Sequence, residues 1–370
     1  MVPLTLLLLS GGGHTGANVM ATLALRREKL RLIATSDIPE EPTLFAFDAV
    51  YLAPPLATAP KQFEARVLEL LSTEKVDLVI PCRDEDVLWL ARLRDRRPEL
   101  APRLLCGASA VAEAVSDKWL SCQFAGEHGL PFARTLPTAA ADDHAAFLAQ
   151  AGLPLVLKPR RGANSRGVVL LDSAEQVARA MERPDAVLQE FLGDREATLR
   201  AIAAMRHDGM PLTHDFMGEK HSIQILLAQG GECVSLACTL NVMDGRISRR
   251  VSLDPAPQAR SLGERCAEVF ARAGWCGPLN VQCQGAPDGQ LRIHEFNARF
   301  TGATAARWAL GIDEVGQALR CFTGRFSVSS SAAEDHPAVA RETLVARAAP
   351  GKALASLEQQ GFWGAPRRTS

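Results

Sequence analysis

The opening third of the chain alternates short, mostly apolar runs with segments in which apolar residues recur every three or four positions. The apolar runs lie at 4–10, 30–36, 49–53, 76–81 and 103–107, and the amphipathic segments between them include 63–71 and 87–93. A strand buried on both faces shows no alternation, whereas a helix packed on one side repeats with a period near 3.6. The rhythm predicts an open, mainly parallel sheet with helices on its faces. The first run leads straight into Gly11, Gly12 and Gly13 with no basic segment before it, so it reads as a buried first strand and not as a signal peptide. No other apolar run approaches the length that crosses a bilayer.

From residue 109 the pattern changes. Ser116 and Asp117 cap a helix that opens at Lys118, Gly129 and Pro131 break it, and 132–136 resumes extended structure. A strand then ends at Lys158, a loop containing Gly162, Asn164, Ser165 and Gly167 follows, and another strand begins. After an amphipathic helix at 173–181, the apolar run from Ala186 ends in Gln189, Glu190, Phe191 and Leu192 before Gly193. Runs at 197–205, 221–228 and 233–239 read as strands of a second, antiparallel sheet, and 262–273 as a helix. Two strand-like runs, 279–284 and 290–296, flank the turn Ala286-Pro287-Asp288-Gly289 and predict a β-hairpin. Beyond 326, the stretch 327–334 reads as a loose serine- and alanine-rich linker, with a returning strand at 343–347.

Composition narrows the function. The 370 residues carry 41 basic and 42 acidic side chains, a net charge of −1, so no whole-molecule field suits nucleic acid or an anionic membrane. A small-molecule client is the default. The nine cysteines are scattered, without a C-x-x-C pair, and read as reduced thiols in a cytoplasmic protein.

Three places carry candidate chemistry. In the hairpin, strict alternation puts Glu295, Asn297 and Arg299 on one face and His294 and Phe296 on the other, with Gln282 able to join the first row across the ladder. Hard oxygen ligands beside a fixed cation suit a magnesium ion bridging polyphosphate oxygens; a half-solvated strand is the plain alternative. In the glycine-bearing loop, backbone amides together with Lys158 and Arg160 suit phosphates, against an ordinary hairpin tip. At the first turn, Gly11, Gly13 and Gly16 form a G-x-G-x-x-G with Asp37 about 20 residues on, the fingerprint of a dinucleotide binder. Any tight strand-to-helix turn also needs such glycines.

The order of these motifs resembles the ATP-grasp superfamily, and within it the branch of the carbamoyl-phosphate synthase large subunit and stand-alone carboxylate–amine ligases. The resemblance spans roughly residues 1–325. It implies a mixed α/β and α+β fold: a Rossmann-like N-terminal lobe (1–110), a small lid subdomain (111–190) and a C-terminal antiparallel sheet (191–326), followed by a linker and tail (327–370). It implies that Lys118 is the nucleotide-binding lysine that opens the lid and that Lys158 touches the α- and β-phosphates, that Gly162, Ser165 and Gly167 belong to the mobile loop over the γ-phosphate, and that Gln189, Glu190, Phe191 and Leu192 form the adenine hinge. Gln282, Glu295 and Asn297 match the metal ligands and Arg299 the phosphate-binding arginine. The family usually has Glu at the place of Gln189. Its ribose-binding acid has two candidates here, Glu196 and Glu219, separated by an insertion of about a hairpin. The strand after it lacks the usual basic residue, for which Arg246, Arg249 or Arg250 could substitute.

The implied activity is an ADP-forming ligase that activates a carboxylate as an acylphosphate and joins it to an amine. Its cofactors are ATP and Mg2+, with Mn2+ an admissible substitute. Its partners are small molecules, not nucleic acid or membrane, and a homodimer is left open. An NAD(P)-dependent oxidoreductase and a non-catalytic ATP-binding module stand as rivals.

Overall fold

A computed structural model describes residues 3–140, 143–162, 165–209, 218–244, 247–326, 339–341 and 349–365. The apolar runs of the first lobe become β1 (Leu4–Leu9), β2 (Leu30–Ser36), β3 (Ala49–Leu52) and β4 (Leu78–Pro81), all parallel, in the order β3-β2-β1-β4. Every residue of β1 is buried, as a central strand covered on both faces requires. The expected fifth strand at 103–107 is reduced to one bridge, Val79 to Leu104. Pro98 and Pro102 hold the chain before it in a 3-10 turn, and a carbon added at Gly107 would lie 2.5 Å from Trp275 Cα, so those residues pack on the next lobe instead.

The lid is a second sheet, β5 (Thr135–Pro137), β6 (Leu155–Pro159), β7 (Val169–Leu171) and β8 (Ala186–Glu190), in the order β5-β8-β6-β7. Its small apolar core, built on Leu155, Leu157, Val177 and Leu188, is separate from the main one. The third sheet runs β13-β12-β9-β10-β11-β14, from β9 (Glu219–Leu227), β10 (Cys233–Asp244), β11 (Ile247–Leu253), β12 (Gly277–Gly285), β13 (Leu291–Asn297) and β14 (Val339–Ala340). One continuous buried cluster joins this sheet to the first lobe, from Leu7 and Leu90 through Phe270 to Phe296. These two bodies therefore share a core on which the lid rides.

Two expectations change. The run at 197–205 is not a strand but part of the helix Arg195–Asp208, started by Asp194, whose side chain accepts from the Ala197 amide at 2.9 Å. Alanine, leucine, methionine and arginine favour helix, and a proper cap outweighs an apolar run read as sheet. The tail, moreover, returns to the first lobe: β15 (Phe362–Gly364) pairs antiparallel with β3. The linker at 327–334 and the strand at 343–347 lie outside the described residues.

After the hairpin the chain turns into the helix Thr304–Ala309, whose Arg307 is fully buried. It pairs with Glu314 at 2.7 Å and donates to Gln224 of β9 at 3.0 Å, which pins this segment beneath the sheet. Removing one partner of a buried ion pair strands the other. Glu314→Ala should cost about 3–5 kcal/mol in chemical denaturation; an unchanged midpoint would mean that the pair carries no structural weight.

Candidate active-site cleft

A cleft opens between the lid and the cleft-facing side of the third sheet, and the sequence-selected residues converge on it from both. On the sheet side, β12 and β13 pair with Asn280 opposite Asn297 and Gln282 opposite Glu295, so Gln282, Glu295 and Asn297 form the expected row. Arg299 follows just beyond β13. It lies 2.8 Å from Asp84 Oδ1 through its Nε and 2.9 Å from Asp84 Oδ2 through its Nη2. It also donates to Asn297 Oδ1 at 3.1 Å. The row is thus tied across the lobe boundary by an ion pair in which Nη2 donates the hydrogen bond.

The ladder corrects one expectation. Gln282 faces Glu295 but Cys283 faces Ile293, so His294 has no partner on β12 and forms a β-bulge. An extra residue of this kind turns two neighbours to the same side. His294 therefore lines the cleft next to Glu295 instead of pointing away, while Phe296 stays in the core. His294 is 6% exposed, and its Nε2 is buried with no hydrogen-bond partner. Burial, with the Lys158 and Lys220 charges adding to it, holds the imidazole well below its ordinary pKa and hence neutral.

From the lid side, Lys158 of β6 donates to Gln189 Oε1 at 2.6 Å, and Gln189 Nε2 donates to Thr135 at 3.0 Å. Protein surrounds the Lys158 ammonium even though part of its surface opens into the cleft. Burial, partly offset by Glu295 and reinforced by Lys118 and Lys220, pulls its pKa down to about 8. Lys118, at the start of the helix Lys118–Glu127, reaches Gly162 O at 3.3 Å and Glu295 at 3.8 Å. Asp117 caps that helix and binds Arg160 at 2.8 Å, which docks the root of the glycine-bearing loop. Gly162, Ser165 and the neighbouring Arg166 line the cleft, whereas Ala163 and Asn164 lie outside the description and Gly167 is not part of the wall.

At the closed end, Phe191 and Leu192 line the wall next to Val156. The Glu190 side chain is 1% exposed and held by Arg292 at 3.1 Å and Arg134 at 3.5 Å, so it ties the lid to β13 and leaves only its backbone for recognition. Neither candidate ribose acid reaches the cleft. Glu196 stands exposed on its helix beside Arg200, and Glu219 shares the β10 partner Val242 with Arg250, to which it pairs at 3.2 Å on the other face. Lys220, one residue on, supplies the basic side chain that β10 lacks. The alternation Lys220, Ser222, Gln224 against Ile223 and Ile225 already carried that signal. Arg249 and Arg250 are exposed, and Arg246 is outside the described residues.

The first-lobe turn is closed to a pyrophosphate. A carbon added at Gly12 would meet Glu41 Oε2 at 2.0 Å, and Glu41, bonded to Ser36 at 2.9 Å, lies against the start of the helix His14–Thr22. The chain's own carboxylate stands where an anion would sit. Gly16 is needed for packing, since a side chain there would strike Gly11 O at 2.0 Å. Asp37 is engaged by Arg83 at 3.2 Å.

The residues present suit a magnesium ion held with a polyphosphate. Glu295 gives one carboxylate and Gln282 and Asn297 give amide oxygens, while the Asn297 Nδ2 is left without a partner. A cluster of three or more His, Cys, Asp or Glu side chains, as an all-protein metal cage would use, is absent among the described residues. That fits an ion that keeps waters and takes most of its charge from phosphates. No helix among the described residues is long and apolar enough to cross a membrane.

No protein-family model matches the chain, and no curated protein sequence matches it. Solved structures do match in shape. The biotin carboxylase domain of Hydrogenobacter thermophilus 2-oxoglutarate carboxylase, in complex with MgADP, ADP and bicarbonate, superposes with a TM-score of 0.63 at 15% identity, covering 88% of this chain and 70% of that one. The biotin carboxylase of Campylobacter jejuni gives 0.64 at 13%, covering 88% and 72%. The N5-carboxyaminoimidazole ribonucleotide synthetase of Thermus thermophilus gives 0.61 at 18%, covering 91% and 81%. The chain has their fold, the ATP-grasp fold, over nearly its whole length.

If Glu190 ties the lid to the third sheet, Glu190→Ala should leave the main core intact while loosening this joint by about 1–3 kcal/mol. Amide exchange should then accelerate in 132–136 and 186–192 but not in β1 or β12. Uniform protection across both regions would rule the tie out.

Proposed function

We propose that the chain is an ADP-forming ligase that activates a carboxylate with MgATP and joins it to an amine. The observation that carries this is the convergence on one cleft of Lys118 and Lys158 from the lid side with Gln282, Glu295, Asn297 and Arg299 from the sheet. The shared fold with biotin carboxylases and carboxyaminoimidazole ribonucleotide synthetases supports it. A dinucleotide oxidoreductase would need the first turn, where Glu41 stands in the way.

The adenine would lie against Phe191 and Leu192, meeting backbone groups of the hinge, and the phosphates would run toward Arg299 beneath the loop that carries Gly162, Ser165 and Gly167. Magnesium, when bound by Glu295, Asn297 and Gln282, would neutralise phosphate charge. A substrate carboxylate oxygen attacks the γ-phosphorus and the bond to the β-phosphate oxygen breaks, releasing ADP and leaving an acylphosphate. The amine nitrogen then attacks the acyl carbon, inorganic phosphate departs, and the nitrogen loses a proton to give the amide. Lys158 and Arg299 stabilise the charge that moves to the transferring oxygens, and Asp84 orients the guanidinium. No side chain needs to act as a nucleophile. Once the loop is closed, water is kept from the acylphosphate.

Glu295→Gln should abolish ADP release in a screen of carboxylate and amine pairs while leaving the fold unchanged. Undiminished turnover would refute the role given to Glu295, and absence of ADP release from the unaltered protein with every pair would favour the non-catalytic module. MgATP, but not NADH, should raise the melting temperature; the reverse result would restore the oxidoreductase.

The pH dependence has a defined sign. The free Lys158 ammonium titrates near 8, and phosphates would hold the proton on, so the complex binds more protons than the free protein above that value. MgATP affinity should fall by less than about twofold from pH 7.5 to 8 and by up to about tenfold per unit well above it. Lys158→Met should bind more weakly and lose this fall. Calorimetric titration at several pH values checks both.

A further inference from the structure

The shared row on β13 is longer than its metal-binding half. Arg292, opposite Gln284, holds Glu190 at the base of the hinge, and Glu295 and Asn297 occupy the phosphate end. His294 stands between them, turned into the cleft by the bulge. A nucleotide laid from Phe191 to Arg299 passes His294 with the part that joins base to phosphates, which is the sugar.

That stretch of wall lacks the group expected there. Among the described residues the cleft is lined by only two carboxylates, Glu190 and Glu295. The first is consumed by Arg134 and Arg292 and the second belongs to the metal row, while Glu196 and Glu219 lie outside the cleft. His294 instead offers a buried Nε2 with no protein partner on the wall of the cleft, a polar atom that a ligand hydroxyl can meet.

Resting on the ligase reading above, we propose that His294 is the sugar-recognition residue, its Nε2 hydrogen-bonded to a ribose hydroxyl of the nucleotide in place of a carboxylate. An imidazole suits this place because a carboxylate beside Glu295 would compete with the phosphates for the same cation and lysines. The contact is binding, not chemistry, so it discriminates nucleotides by their sugar.

The test is calorimetric titration of the full chain with MgATP and with its 2′-deoxy and 3′-deoxy analogues. The unaltered protein should bind one deoxy analogue about three- to tenfold more weakly than ATP, the worth of one neutral hydrogen bond. His294→Leu should bind ATP about as weakly as the unaltered protein binds that analogue and should no longer tell the two apart. His294→Gln, which keeps a donor and an acceptor, should retain part of the discrimination and guards against a misfolded leucine variant. Undiminished discrimination in His294→Leu, or equal affinity of the unaltered protein for all three nucleotides, overturns the sugar contact alone. Failure of the unaltered protein to bind any of them overturns the ligase reading with it.

Discussion

Everything in the cleft depends on the pairing of β12 with β13 and on the single extra residue that the pairing leaves on β13. A ladder without the bulge would still bring Glu295 opposite Gln282 but would send His294 to the core face. With the bulge, His294, Glu295 and Asn297 line the cleft, and the strand runs from the Arg292–Glu190 ion pair to the row of Glu295 and Asn297. The same strand is anchored at both ends by charge: Arg292 to Glu190 of the lid, and the adjoining Arg299 to Asp84 of the first lobe. Three bodies therefore meet on one strand.

Burial pulls the pKa of Lys158 down to about 8, and the charges of Lys118 and Lys220 beside it add to that cost. Such a cost is tolerable where a polyanion is to be bound, because the repulsion that burdens the empty cleft becomes attraction once phosphates enter. Arg299 is handled differently. Its charge is already paired with Asp84, which orients the guanidinium.

The glycine-rich first turn shows how a motif can be real and still misassign chemistry. Gly11, Gly13 and Gly16 do form the strand-to-helix turn that the spacing implies, and Gly16 is required by contact with the Gly11 carbonyl. What decides against a phosphate is Glu41, thirty positions beyond Gly11 in no recognisable spacing from it, which the fold lays over the turn. The lobe keeps the topology and lacks the anion site.

Periodicity alone was enough for the four parallel strands of the first sheet, for the lid strand ending at Lys158 and for the hairpin, because burial on one or both faces writes itself into neighbouring residues. It also named the row Glu295, Asn297 and Arg299, since a period of two survives over a few positions. It failed where local signals compete, as at 195–208, where an aspartate cap and helix-forming residues outweighed an apolar run. It could not reveal the bulge at His294, because no glycine or proline marks it and the slip exists only relative to β12. Nor could it pair Arg299 with Asp84, Glu190 with Arg292 or β15 with β3: such contacts join positions far apart in the chain, and only the packed molecule settles which of many charged and apolar groups come to lie together.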